Sequence, residues 1–97
     1  MPAHLFVAVT AHDLSWISGY QENVPAIMHR HGGEFVAASD VVKRYEGGGD
    51  DPNRAVLMKF PTMQAIEAFV TDPEYAPYRA ARLAASTSDA FAFATLD

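Results

Sequence analysis

Four polar side chains in this sequence have the chemistry to hold a small molecule. Tyr20, Tyr75 and Tyr78 bring phenol hydroxyls, and Arg82 brings a guanidinium, onto segments with helical periodicity. Such groups can orient an anionic or carbonyl-bearing ligand where they line a pocket. The same residues also suit packing between amphipathic helices, with each hydroxyl reaching water. The spacing leaves both interpretations open, and ligand binding is assigned to Tyr75, Tyr78 and Arg82.

Three side chains are candidates for catalysis of a proton transfer. Histidine is the side chain that ordinarily titrates nearest to neutral pH, which makes His31 a candidate acid or base. The Tyr20 hydroxyl could act in the same way, and Arg82 could stabilise developing negative charge. No two of these groups show a spacing that is typical of acid–base catalysis, so a reaction is not indicated by the pattern itself.

Glu46 and Arg54 flank a glycine-rich segment and form a second candidate pair. They could contribute to a ligand site or join in an ion pair across the segment. The glycines at 47–49 lack the Gly-Lys-Ser/Thr ending of a phosphate-binding loop. His29 and His31 lie two residues apart on a predicted helix, so their side chains diverge and cannot share a metal ion. The sequence predicts no metal site and no cofactor.

Composition limits the kind of protein this is. The 97 residues predict one domain that spans residues 1–97. A net charge of −5, with the seven basic residues scattered, disfavours a nucleic-acid partner. The chain has no cysteine, no secretory signal pattern and no apolar run near the roughly 20 residues of a membrane helix. We therefore expect a cytoplasmic protein with no membrane partner.

The first half of the chain predicts a strand, a helix and a second strand. Residues 5–9 form a continuous apolar run, as in a strand buried on both faces. A helix should follow, capped by Asp13 or Ser15 and ended by the glycines at 32–33. Pro25 should either kink this helix or divide it into two pieces that meet near residues 23–24. Residues 34–45 should then be extended, with a bulge or bend at 39–40.

The second half predicts a strand, two helices and a last strand. The strand covers residues 55–60, and Thr62 should cap the helix after it. Asp72 and Pro73 supply a cap and a first-turn proline, so we expect one helical turn followed by a main helix over 78–85. Residues 90–95 alternate large and small side chains, which indicates the final strand.

This order predicts an α+β fold, βαββαβ, with a four-stranded antiparallel sheet and its helices on one face. Alternation along the strands makes both sheet faces apolar, since Val7 and Phe6 point to opposite sides. The uncovered face exceeds what a monomer usually exposes. A homodimer through the open sheet face is the expected solution. A monomer with a ligand groove on that face is the alternative.

Short motifs distributed along nearly the whole chain carry a family resemblance. They are Val24-Pro25-Ala26, His31-Gly32-Gly33, Glu46-Gly47, Arg54, Phe60-Pro61-Thr62-Met63, Asp72-Pro73-Glu74-Tyr75 and Arg82. In this order and spacing they resemble the 1330 domain-of-unknown-function family. The resemblance implies a ferredoxin-like domain that pairs as a dimeric α+β barrel.

The resemblance leaves two functional hypotheses. The first is a small dimeric protein that binds a small metabolite in the barrel cavity. The second is a cofactor-independent enzyme, monooxygenase-like or isomerase-like, that acts on a small aromatic or carbonyl compound. Ala38 stands where members of the family tend to carry an arginine, so a ligand contact from that arginine would be altered or lost here.

Overall fold

The computed structural model describes residues 1–96, and in this range it contains four strands and three helices. Their bounds are β1 Ala3–Ala11, α1 Ile17–Arg30, β2 Glu34–Ser39, β3 Arg54–Phe60, α2 Met63–Val70, α3 Ala76–Ala85 and β4 Ser86–Ala94. The predicted α+β, ferredoxin-like order is confirmed. The main helix expected over residues 78–85 is α3, which follows α2 after a single turn.

The strands form one antiparallel sheet in the order β2-β3-β1-β4. Val7 of the central strand β1 lies opposite Val56 of β3 and Ala90 of β4. Side chains alternate as predicted, so Leu5, Val7 and Val9 are buried under the helices. Phe6 and its neighbours in register point to the other face, which no helix covers.

The core lies between the sheet and one stripe of each of the first two helices. Helix α1 contributes residues spaced three and four apart, and α2 contributes two residues one turn apart, so that each helix buries a single face. These residues are Val24, Ile27, Met28, Ile66 and Phe69. Phe60 at the end of β3 is also fully buried, which joins the sheet to both helices.

The two glycines after α1 are needed for different structural reasons. Gly32 has a φ of +79°, the left-handed conformation that ends a helix. Gly33 is buried, and a Cβ atom there would lie 2.6 Å from Met28 Cγ and 2.6 Å from Phe60 Cε2. This close approach lets β2 begin directly against the core.

Capping chemistry sets the starts of α2 and α3. The Thr62 hydroxyl accepts a hydrogen bond from the Ala65 amide at 3.0 Å, which confirms the predicted cap of α2. Asp72 Oδ1 accepts from the Glu74 amide at 2.8 Å and opens the next turn. Helix α3 begins at Ala76 rather than Tyr78, because Pro77 occupies its first turn, where a missing N–H leaves no bond unmade.

The prediction for α1 was partly wrong. The helix begins at Ile17, because the Asp13 carboxylate accepts a hydrogen bond from the Ser15 amide and forms a turn instead of a helix cap. It runs without interruption through Pro25 to Arg30 rather than as two pieces. Tertiary packing of Val24 and Ile27 offsets the lost backbone hydrogen bond.

Two strand lengths also differ from the prediction. Strand β2 ends at Ser39, where the Ser39 hydroxyl accepts a hydrogen bond from the Val41 amide and turns the chain. The chain bends at Asp40, within the predicted bulge or bend at residues 39–40, and β2 itself has a register shift between Phe35 and Ala37. Strand β4 begins at Ser86 instead of Ala90, since β1 continues to Ala11 and pairs with these additional residues.

The uncovered sheet face carries large apolar side chains. Phe91 and Phe93 are 63% and 50% exposed on this surface, beside Phe6 and Leu57. We call this surface the open face. No helix in residues 1–96 is both long and apolar enough to cross a bilayer.

Candidate functional site

A cleft opens between α1 and the helix-covered side of the sheet. Its inner part has a volume of about 40 Å³ and its mouth about 230 Å³. The inner walls are mostly apolar, from Val7, Val9, Ile17, Phe35, Val56 and Met58. The polar side chains on the inner walls are Trp16, Tyr20, Gln21, Arg54 and Arg82. An apolar cleft with a few convergent polar groups is the usual form of a small-molecule site.

Arg82 is the most unusual residue of the cleft. It is 5% exposed, and its Nε and Nη1 atoms have no hydrogen-bond partner within residues 1–96. Helix α3 positions it from one side, and the Ser86 hydroxyl donates a 2.5 Å hydrogen bond to the Arg82 carbonyl at the end of that helix. An arginine stays charged in proteins, so this is a buried positive charge with unused donors.

Tyr20 and Tyr75 form a hydroxyl pair beside the cleft. Their oxygens are 2.6 Å apart, and Tyr75 is buried under Phe69 with ring centroids 4.5 Å apart. The pKa of Tyr20 is raised far above its ordinary value, chiefly by burial and secondly by the neighbouring Tyr75. The Arg82 guanidinium offsets part of this increase. At neutral pH the Tyr20 phenol is therefore protonated, and either hydroxyl of the pair can be the donor of their hydrogen bond.

Trp16 is a cleft residue that the sequence analysis did not assign to the site. Its indole contacts Tyr20 edge-on, with ring centroids 5.4 Å apart, and its Nε1 is buried with no partner in the described residues. An indole N–H is a donor only and usually finds a partner when buried. The spacing of four residues between Trp16 and Tyr20 places both on one helix face, and this signal could have found it.

Arg54 and Glu46 lie on opposite sides of the sheet. Arg54 is opposite Val9 in register and lines both parts of the cleft, next to Ala38 at its mouth. Glu46 is exposed and borders a hollow on the open face with Phe91. The structure forms no ion pair between them. Arg54 thus lines the candidate cleft, whereas Glu46 lies on the opposite face of the sheet.

His31 and Tyr78 lie outside the cleft. His31 Nε2 is 2.7 Å from Asp72 Oδ2, and Phe69 separates it from the tyrosine pair. The pKa of Asp72 lies below its ordinary value. The hydrogen bond from His31 is the largest cause, followed by the hydrogen bond from the Glu74 amide and by the charge of Arg30. Tyr78 packs against the core. Within residues 1–96, no three His, Cys, Asp or Glu side chains are grouped as a metal site requires.

The antiparallel sheet, the helices on one of its faces and the cleft between them define a ferredoxin-like α+β protein. The sequence profile of the family described as domain of unknown function (DUF1330) matches residues 2–96, and the chain belongs to this family. No curated protein matches the chain significantly in sequence.

Solved structures with this fold include proteins with and without an assigned activity. A protein of unknown function from Rhodopseudomonas palustris superposes with a TM-score of 0.81 at 18% identity, covering 99% of this chain and 83% of that chain. SnoaB, a cofactor-independent oxygenase from Streptomyces nogalater, gives 0.70 at 18% identity, with coverage of 99% and 94%. A dimeric, ferredoxin-like protein of unknown function from Bacteroides fragilis gives 0.65 at 13% identity, with coverage of 97% and 96%. At these identities the likeness shows the fold alone.

Proposed function

We propose that this protein is a small homodimer that binds a small metabolite in the cleft between α1 and the sheet. The observation that carries the proposal is the set of buried, unpartnered donors on Arg82 and Trp16 in an otherwise apolar cleft. A buried donor without a partner costs free energy, so its retention fits a group that a ligand satisfies.

The dimer is proposed to form through the open face. Phe91 and Phe93 stand exposed there, and Phe6 and Leu57 extend the same apolar surface. A contiguous apolar surface of this kind marks an interaction site in soluble proteins. The dimeric state of the Bacteroides fragilis protein with the same fold supports this arrangement.

A cofactor-independent oxygenase- or isomerase-like activity on a small aromatic or carbonyl compound is the second candidate. It is supported by the shared fold of SnoaB, which is a cofactor-independent oxygenase. The local chemistry favours binding instead, because the raised pKa of Tyr20 makes its phenol a donor rather than a base. His31, the other candidate base, is bonded to Asp72 outside the cleft.

A thermal-shift screen of aromatic acids, lactones and quinones tests the binding function. Binding to the native protein raises the melting temperature by mass action, so we expect at least one compound class to stabilise it. The single tryptophan lines the cleft, so its emission reports whether a hit occupies this site. A screen with no stabilising compound, or hits that leave Trp16 emission unchanged, would contradict the proposal.

The same hits separate the two candidate functions. Each is incubated with the protein in air, and oxygen uptake and the mass of the compound are followed. Unchanged compound and no oxygen uptake are expected of a binding protein. A new product that depends on Tyr20, absent in Tyr20→Phe, would instead establish the enzyme.

A further inference from the structure

We propose that the ligand of the cleft is a monocarboxylic acid with a flat apolar body, and that its carboxylate binds Arg82 at the inner end. This inference rests on the proposed binding function and names its ligand class. It follows from the charge, the donors and the shape of the cleft.

The first observation is the missing counter-charge of Arg82. Arg82 is 5% exposed, and two of its three guanidinium nitrogens have no hydrogen-bond partner in the described chain. The ion pairs that residues 1–96 do form involve Arg30 and His31, not Arg82. An isolated buried charge is strongly unfavourable unless an opposite charge reaches it. Within residues 1–96, the charge of Arg82 therefore has no anionic partner.

The second observation is that the other polar groups of the inner cleft can donate. Trp16 Nε1 is a second buried and unpartnered donor, and the Tyr20 phenol is protonated. Arg54 adds a further positive charge, and no aspartate or glutamate is among the described residues that line the cleft. Two cations and one unpartnered neutral donor around one space are complementary to an oxyanion.

The shape indicates a carboxylate on an apolar body. The inner part, about 40 Å³, has room for a small planar head, and a planar guanidinium matches carboxylate geometry. The mouth, about 230 Å³, lies between Tyr20, Pro25 and Phe35, which suits a ring or a short apolar chain.

Matched acids and amides test the head group. A panel of one- and two-ring aromatic acids, each with its primary amide, is titrated against the full-length protein while Trp16 emission is followed. We expect each acid that binds to do so about 10- to 100-fold more tightly than its amide, the range of a charge-assisted hydrogen bond. Arg82→Gln should remove this preference, and Arg82→Lys should keep part of it.

The outcomes separate this inference from the proposed function. Equal affinity of acids and amides would overturn the carboxylate assignment and leave the binding function standing. No response to any acid or amide would overturn this inference and count against the binding function as well. An acid preference that survives in Arg82→Gln would show that another group holds the carboxylate, which also overturns the assignment to Arg82.

Arg82→Met separates a ligand-binding arginine from a structural one. Replacing a buried charge that has no partner with an apolar side chain is often neutral or stabilising, so the ligand-free variant should melt at or above the temperature of the unmodified protein. A lower melting temperature together with an unchanged acid-to-amide ratio would assign Arg82 to structure and overturn the inference.

Discussion

Individual residues of the cleft lower the stability of the protein but bring polar groups that could bind a ligand. Arg82 and Trp16 bury donors that the described chain does not satisfy, and such groups are retained where function needs them despite their cost to stability. Tyr20 is satisfied by Tyr75 and still faces the cleft. The candidate site thus combines the hydrogen-bonded hydroxyls of Tyr20 and Tyr75 with donors on Arg82 and Trp16 that have no partner among the described residues.

Substitution of Gly33 measures how tightly the core around it is packed. In Gly33→Ala the new methyl would overlap Met28 and Phe60, both of them fully buried, so the free energy of unfolding should fall by about 1–3 kcal/mol. Urea denaturation at one fixed protein concentration measures this change. The concentration is held constant because dimerisation would contribute to stability.

Gly19→Ala is the matched control for Gly33→Ala. Gly19 lies within α1, and nothing lies within 4 Å of its added Cβ. The better helix propensity of alanine should stabilise the protein by about 0.5–1 kcal/mol. If both variants shift stability in the same direction and by the same amount, the packing argument for Gly33 is wrong.

Secondary-structure elements are held in place by a polar cluster next to the core. His31 and Arg30 at the end of α1 contact Asp72, and Arg30 Nη2 lies 2.8 Å from Glu74 Oε2. This cluster joins α1 to the turn that precedes α3. Because Trp16 immediately precedes α1 and Arg82 lies on α3, the cluster connects the elements on the two sides of the cleft.

The Asp72 carboxylate should contribute stability that depends on pH. Its pKa is lowered in the folded protein, chiefly by the His31 hydrogen bond, so the contribution is present above the unfolded pKa of about 3.9. It is lost as the pH falls through the folded pKa. Asp72→Asn should therefore melt at a lower temperature between about pH 5 and 7, and its curve should converge with that of the unmodified protein below about pH 4.

Glu22→Gln is the control for Asp72→Asn, since it removes one negative charge from an exposed α1 residue. Glu22 makes no hydrogen bond or ion pair with a side chain in residues 1–96. Its melting temperature should follow that of the unmodified protein from pH 3 to 7. A constant offset for Asp72→Asn across this range would contradict the role assigned to its charge.

At the scale of the whole molecule, the two faces of the sheet have different roles. One face is covered by helices and contains the cleft, and the other presents exposed phenylalanines. This division leaves the cleft within one chain while the open face pairs with a second copy, as proposed above. Ligand binding and assembly are then separable by mutation.

Phe91→Lys tests the proposed interface. Two lysines brought together at a two-fold interface would be desolvated and repel, so the sedimentation mass should fall from twice the 10.6 kDa of one chain to that of a single chain. Acid binding in the cleft should persist in this variant.

Leu83→Lys supplies the matched control for the interface. Leu83 is 45% exposed on α3, away from the open face, and the substitution adds the same charge. This variant should remain dimeric. A sedimentation mass of one chain for the unmodified protein, or an undisturbed dimer for Phe91→Lys, would refute the open-face interface.

The predicted strands, helices and sheet faces were correct where local patterns control them. Alternation in β1, the Thr62 cap and the Gly32 stop depend on neighbouring residues alone, so they could be read from the chain. The ends of β2 and β4 could not, because a strand extends as far as its partner in register allows. Of the candidate site residues, Tyr20, Arg54 and Arg82 line the cleft, whereas Tyr75, His31, Tyr78 and Glu46 do not.

The amino-acid sequence by itself determined the fold, the two apolar sheet faces and the family, since periodicity and capping are local properties. Only the tertiary structure decided which polar side chains converge. An arginine on an amphipathic helix ordinarily reaches solvent, and Arg82 is buried because the packing of α3 beside α1 and the sheet turns it into the cleft. Burial of its charge follows from contacts between segments that lie far apart in the chain, and no local pattern contains that information.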